Sequence, residues 1–148
     1  MLPRPEMFKE VIFTPRIIAF NQSFVVTVKH SLPTAVIWHG AIAGRSREDI
    51  TSTFFAFLLS VRDSKHMILW LENCAAQNKN WTLLTFFIYV VNSEELALKS
   101  LTLKYFEPGH TFMAADSFHH QVERSLKKMG KIYDFEDFTE AVKHATIN

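Results

Sequence analysis

The chain has 148 residues, 48% of them hydrophobic and fourteen of them phenylalanine, and its sixteen basic and fifteen acidic side chains leave a formal charge of +1. That supplies the core of about one domain and argues against disorder, while near-neutrality excludes a global field for wrapping nucleic acid and leaves only local basic faces. A single cysteine forms no internal disulfide and "MLPRPEMFKE" lacks the apolar stretch of a signal peptide, so the expected compartment is reducing and intracellular, nucleus or cytoplasm.

In chain order, "EVIF", "RIIAF", "FVVTVK" and "TAVIWHG" are short, β-branched and aromatic, and divided by Thr-Pro, Asn-Gln and Ser-Leu-Pro punctuation, which predicts strands joined by tight turns. The period then changes. In "SREDITSTFFAFLLSVRD", Ile50, Phe54, Phe57, Leu58 and Val61 recur at helical spacing, and Ser46 with Asp49 three residues later reads as a capping box. "HMILWL" predicts a buried strand, and Trp81 to Val91 a helix that is apolar nearly all round and therefore sandwiched inside the domain. Its run "LLTFFIYVV" is too short to cross a bilayer, so no membrane contact is expected.

"SLTLKYF" alternates as a strand does, and a helix from about Asp116 to Met129 follows, with Phe118, Val122, Leu126 and Met129 on one side. Gly130 ends it. Asp134 caps a last short helix carrying Phe138, Ala141, Val142 and Ala145, with Tyr133 and Phe138 set as a hydrophobic staple. No repeat or linker divides residues 1–148, so they are taken as a single domain. An initial antiparallel meander followed by strand-helix alternation predicts an α/β fold: a mixed sheet of about five strands, three antiparallel and then alternating, with helices on both faces. That order is similar to the ribonuclease H-like fold of many transposases and integrases.

Ligands in such sheets gather beyond the carboxyl ends of strands. Three stretches occupy those places: "NQ" with Asn21, "ENCAAQNKN" with Glu72, and "EPGHTFMAAD" with His110 and Asp116. Carboxylates from separate elements can hold a pair of divalent metals, and hard oxygen ligands suit Mg²⁺ or Mn²⁺. Asn21 brings no charge to that task.

"WLENCAAQNKNW" followed by "YFEPGHTFMAADSFHHQVE" resembles a group of transposon-derived domains of unknown function that look ribonuclease H-like. Their hallmarks are an Asp-(Asn/Ser)-Cys-x-x-Gln-Asn-(Lys/Arg)-Asn motif and a Pro-Gly-His-Thr motif with a later Asp. The resemblance runs from about "RIIAF" to the C-terminus, and longer relatives imply that the chain is a fragment of a larger transposon-encoded protein. It implies a Mg²⁺- or Mn²⁺-dependent nuclease or polynucleotidyl transferase acting on DNA, with Glu72, Asp116, Asn21 and His110 as the catalytic set. Glu72 and Asp116 would ligate metal, and Asn73, Gln77 and Asn78 would line the site. Glu72 stands where those domains carry Asp and Asn21 where relatives tend to, so the implied site is degenerate. The shift from Asp to Glu moves the carboxylate by about one C–C bond, comparable with the ~1 Å misplacements that harm catalysis.

Plainer readings stand beside each of these. Glu72 can cap the next helix or pair with a lysine, Asp116 can cap its own helix, and the amides of Asn73, Gln77 and Asn78 can hold a turn. Arg124, Lys127, Lys128 and Lys131 form either a phosphate-contacting patch or a solvated helix end. The alternative function is a non-enzymatic protein- or nucleic-acid-interaction module in which the old site is only a polar surface. A third reading, a cysteine hydrolase, requires Cys74 within hydrogen-bond reach of His110.

Overall fold

A computed structural model describes residues 17–27, 31–107 and 113–145. Strand β1 (Ala19–Phe24) pairs antiparallel with β2 (Thr34–His39), with Asn21 opposite Ile37 and Phe24 opposite Thr34. Helix α1 (Arg47–Ser60) follows, then β3 (His66–Leu71), the one-turn α2 (Ala75–Asn78), α3 (Trp81–Asn92), β4 (Ser100–Tyr105), α4 (Ala114–Met129) and α5 (Phe135–Lys143). Strands β3 and β4 are parallel, with Leu71 opposite Tyr105, and the connection through α3 has the length that parallel pairing requires.

Local chemistry explains most of the boundaries. Ser46 Oγ accepts from Asp49 N at 3.1 Å while Asp49 Oδ2 accepts from Ser46 N at 2.9 Å, the reciprocal pair that starts α1. Asp134 caps α5 by accepting from Asp137 N at 2.9 Å. Gly130 ends α4 at φ 80°, where a side chain would be strained, and its N–H returns to Leu126 O. Tyr133 does not form the staple expected with Phe138, because it is 81% exposed.

Alternation along β1 and β2 feeds two apolar layers. Phe24, Val36 and Trp38 join α1, where Phe24 stacks on Phe57 at 4.2 Å and meets Phe54 edge-on at 5.2 Å. Ala35 and Ile37 turn the other way, onto Phe118 and Val122 of α4 and Val142 of α5. Met67, Leu69, Leu101 and Leu103 of the second sheet pack with Leu83, Phe87 and Val90 of α3 into the same core as Phe24. At about 1.5 to 3 kcal/mol for each fully buried large apolar side chain, these contacts dominate what holds the fold.

The mixed sheet of about five strands is not formed. The described residues make two separate two-stranded sheets, one antiparallel and one parallel, and the pairs meet through side chains in a shared core rather than through backbone hydrogen bonds. "EVIF" lies outside the described residues. "FVVTVK" is not a strand over its described part, since β1 ends at Phe24 and Val25 to Thr27 leave the ladder. Helices cover both faces of β1–β2, but the expectation fails for β3–β4, whose second face has no helix packed on it among the described residues. The enclosed α3 also differs from expectation, because Trp81 (82% exposed), Ile88 and Tyr89 face outward. Periodicity reports how apolar a segment is; which neighbour covers each side depends on distant parts of the chain.

Candidate functional site

The polar stretch after β3 is a turn braced by its own amides. Leaving the buried Leu71, the chain passes Glu72, Asn73 and Cys74, makes the single turn of α2 and enters α3 at Asn80. Asn78 Nδ2 donates to Glu72 O at 2.8 Å, tying the two ends of the loop together. Asn80 Oδ1 accepts from Leu83 N at 3.0 Å and so caps α3, while Asn80 Nδ2 donates to Gln77 O at 2.9 Å and to Ala76 O at 3.3 Å. The amide accepts once from the helix and donates twice to the preceding turn, where a hydroxyl has a single proton to give, and that accounts for asparagine at this position.

The strand-end loops do come together. Phe106 N donates to Leu71 O at 3.2 Å and the Tyr105 hydroxyl donates to Asn78 O at 3.0 Å, with Lys79 Nζ 4.7 Å from the Tyr105 ring centroid. Burial raises the Tyr105 pKa above the usual 10.0. A folded pKa above the unfolded one gives stability that is complete below about pH 10 and is lost as pH rises through the folded value. Replacing Tyr105 by Phe should therefore cost about 1 kcal/mol at neutral pH, one hydrogen bond's net worth. The difference between the two proteins in urea unfolding should shrink above pH 10; a difference unchanged into strong alkali would show that the hydroxyl proton is irrelevant. The comparison is needed because Tyr89 is also raised, through its hydrogen bond to Glu95 and that carboxylate's charge.

Of the proposed site residues, Asp116 and Asn21 are engaged locally through their side chains, whereas Glu72 takes part only through its backbone carbonyl. Asp116 is the third residue of α4 rather than its cap, and its Oδ2 accepts from Met113 N at 2.7 Å. Glu72 is exposed, and Asn73, Cys74 and Gln77 are half-buried. Asn21 lies inside β1 and not beyond its end; its Oδ1 accepts from Ser23 Oγ at 3.1 Å, and Ser23 Oγ lies 3.0 Å from His119 Nε2. With the serine proton directed to Asn21, the imidazole N–H is the donor to Ser23. This chain links β1 to α4 and was not legible in the sequence, because Ser23 and His119 stand 96 residues apart. His110 lies outside the described residues, as do Pro108, Gly109 and Thr111, and so does the proposed pairing of His110 with Cys74. Among the described residues no three His, Cys, Asp or Glu side chains group as a metal site would require.

The open face of β3–β4 is the other feature that sequence reasoning passed over. His66, Ile68 and Trp70 on β3 stand opposite Ser100, Thr102 and Lys104 on β4, and all six are exposed. Parallel sheets are ordinarily covered on both sides. Here Ile68 is 56% and Trp70 47% exposed, although both belong to a strand with an apolar sequence. Lys104 Nζ lies 4.9 Å from the Trp70 ring centroid, and the Phe106 ring is 5.2 Å from it, tilted by 40°. On the same face His66 Nδ1 is 2.8 Å from Ser100 Oγ. The available signal was the even spacing of Ile68 and Trp70 in "HMILWL" against Lys104 in "SLTLKYF".

No curated protein and no solved structure matches the chain. A family model does match over residues 47–148, taking in Glu72, Trp70, Lys104 and Asp116 and leaving Asn21 outside the matched span. With more than half its length so matched, the chain belongs to the family of the domain of unknown function DUF7869.

Proposed function

We propose that this domain is a non-enzymatic nucleic-acid interaction module whose contact surface is the open face of the β3–β4 sheet. The observation that carries the reading is a parallel-sheet face, uncovered among the described residues, on which an exposed indole, Trp70, is flanked by a lysine and a second aromatic ring. None of the six outward residues is acidic and Lys104 stands among them, so the face itself offers a cation to a phosphate; at the amino ends of the strands Lys65, Lys99 and Arg62 are offset by Asp63, Glu94 and Glu95. Glu72 and Glu107 lie beyond the carboxyl ends. The resemblance to transposon-derived domains also favours DNA as the partner class.

The local engagements of Asp116 and Asn21 favour binding over chemistry. A metal-dependent transferase would need Glu72 and Asp116 to converge on Mg²⁺ or Mn²⁺, and the Asp116 carboxylate already accepts a backbone proton at the start of α4. The test sets fluorescence anisotropy with labelled DNA and RNA beside calorimetric titration of Mg²⁺ and Mn²⁺ and a nicking assay. Polynucleotide should bind, more weakly as salt rises, and Glu72→Ala should leave that binding unchanged. Metal-dependent nicking that disappears in Glu72→Ala would replace this reading with the transferase one.

A further inference from the structure

We infer that the β3–β4 face takes single-stranded rather than duplex polynucleotide, with one base stacked on Trp70 in the place that the Lys104 ammonium occupies in the free protein. This rests on the reading of the face as a nucleic-acid surface.

Trp70 and Lys104 are Cα partners across the parallel ladder, and that is why the lysine reaches the indole, with Nζ 4.9 Å from the ring centroid. The cation is held by a weak contact on a flexible stem and is free to turn toward a phosphate oxygen. The indole face it leaves is carried on a hydrogen-bonded strand and buttressed by Phe106 at 5.2 Å, so the ring is already placed for a base to stack on it. Ile68, two residues earlier on the same face, offers apolar contact to a base edge, and the Thr102 hydroxyl opposite it can meet sugar or phosphate oxygens.

Six residues of strand run for about 20 Å, long enough to follow several nucleotides of an extended backbone. Stacking on a side chain needs an unstacked base with a free π-face, and a duplex has none. Among the described residues the face carries no helix or long side-chain array that would enter a groove, so duplex would meet Lys104 and the flanking Lys65 and Lys99 through its phosphates alone.

The experiment measures the 148-residue chain against fluorescein-labelled oligo-dT, oligo-U and a mixed-sequence DNA duplex, by anisotropy across a salt series. The single strands should bind at least tenfold more tightly than the duplex. Trp70→Leu should weaken single-strand binding by about tenfold or more, Trp70→Phe should restore part of it, and Lys104→Gln should reduce the salt slope by about one phosphate's worth, ~0.7. Circular dichroism of each variant secures the fold, and Trp70 is exposed enough for replacement to be tolerated. Equal affinity for duplex, with Trp70→Leu silent, would overturn the stacking inference and leave the nucleic-acid reading standing. No binding to any of the three probes at low salt would overturn both. A concentration-dependent dimer that Trp70→Lys dissolves would also overturn both, assigning the face to a second copy of the chain.

Discussion

Phe54→Ala is expected to cost about 3 to 5 kcal/mol, the usual range for truncating a buried aromatic ring. Phe54 is 1% exposed, on the face of α1 where three elements meet. Its ring lies edge-on to Phe24 of β1 at 5.2 Å and to Phe87 of α3 at 5.4 Å, so one substitution removes two T-shaped pairs and opens a cavity between the antiparallel sheet and the helix behind the parallel one. A domain of this size has a total stability of about 5 to 15 kcal/mol, so the variant should sit near the edge of unfolding. Guanidinium unfolding followed by tryptophan fluorescence measures it directly. A loss below about 1 kcal/mol would mean that the two sheets do not depend on this ring for their common core.

Asn80→Ala should cost about 2 kcal/mol, more than an ordinary helix cap. The side chain accepts from Leu83 N, and its amide donates to Gln77 O and, at longer range, to Ala76 O. Loss of a cap costs about 0.5 to 2 kcal/mol, and each further hydrogen bond to a half-buried carbonyl about 0.5 to 1.5. Asn80→Asp separates the two contributions: it keeps the acceptor that starts α3 and removes the donors, so its loss should fall between wild type and Asn80→Ala. Urea unfolding of the three proteins gives the order. Equal stability of all three would instead make Asn80 a ligand-facing residue, and the polar stretch would regain its claim to be a binding site.

That distinction changes the meaning of "LENCAAQNKN". Polar residues between two apolar segments invite a site reading because acids and amides at strand ends often mark one. In the folded chain Asn78 and Asn80 bind the carbonyls that a one-turn helix and a tight re-entry leave open, and Tyr105 reaches across from β4 to a third. A backbone that turns this sharply beside a buried strand must satisfy its polar groups, and amides carry both donor and acceptor for that purpose. The motif is therefore explained by folding before any ligand is invoked.

Sequence alone determined the elements whose chemistry is local. The Ser46–Asp49 box, the Asp134 cap, the stop at Gly130, the helices after Ser46 and Asn80, and the strands "HMILWL" and "SLTLKYF" all follow from neighbours within about four residues, where caps and periodicity act. Tertiary structure decided everything that depends on which distant segments meet. It placed Asn21 within a ladder against Ile37 and joined it through Ser23 to His119, which is 96 residues from that serine in sequence. Among the described residues it also divided the strands into two sheets and left Trp70 and Lys104 exposed. Backbone pairing carries almost no residue-type code, and the cover over a strand face is supplied by helices far along the chain. An apolar strand therefore reads the same whether its second face ends buried or open to a partner.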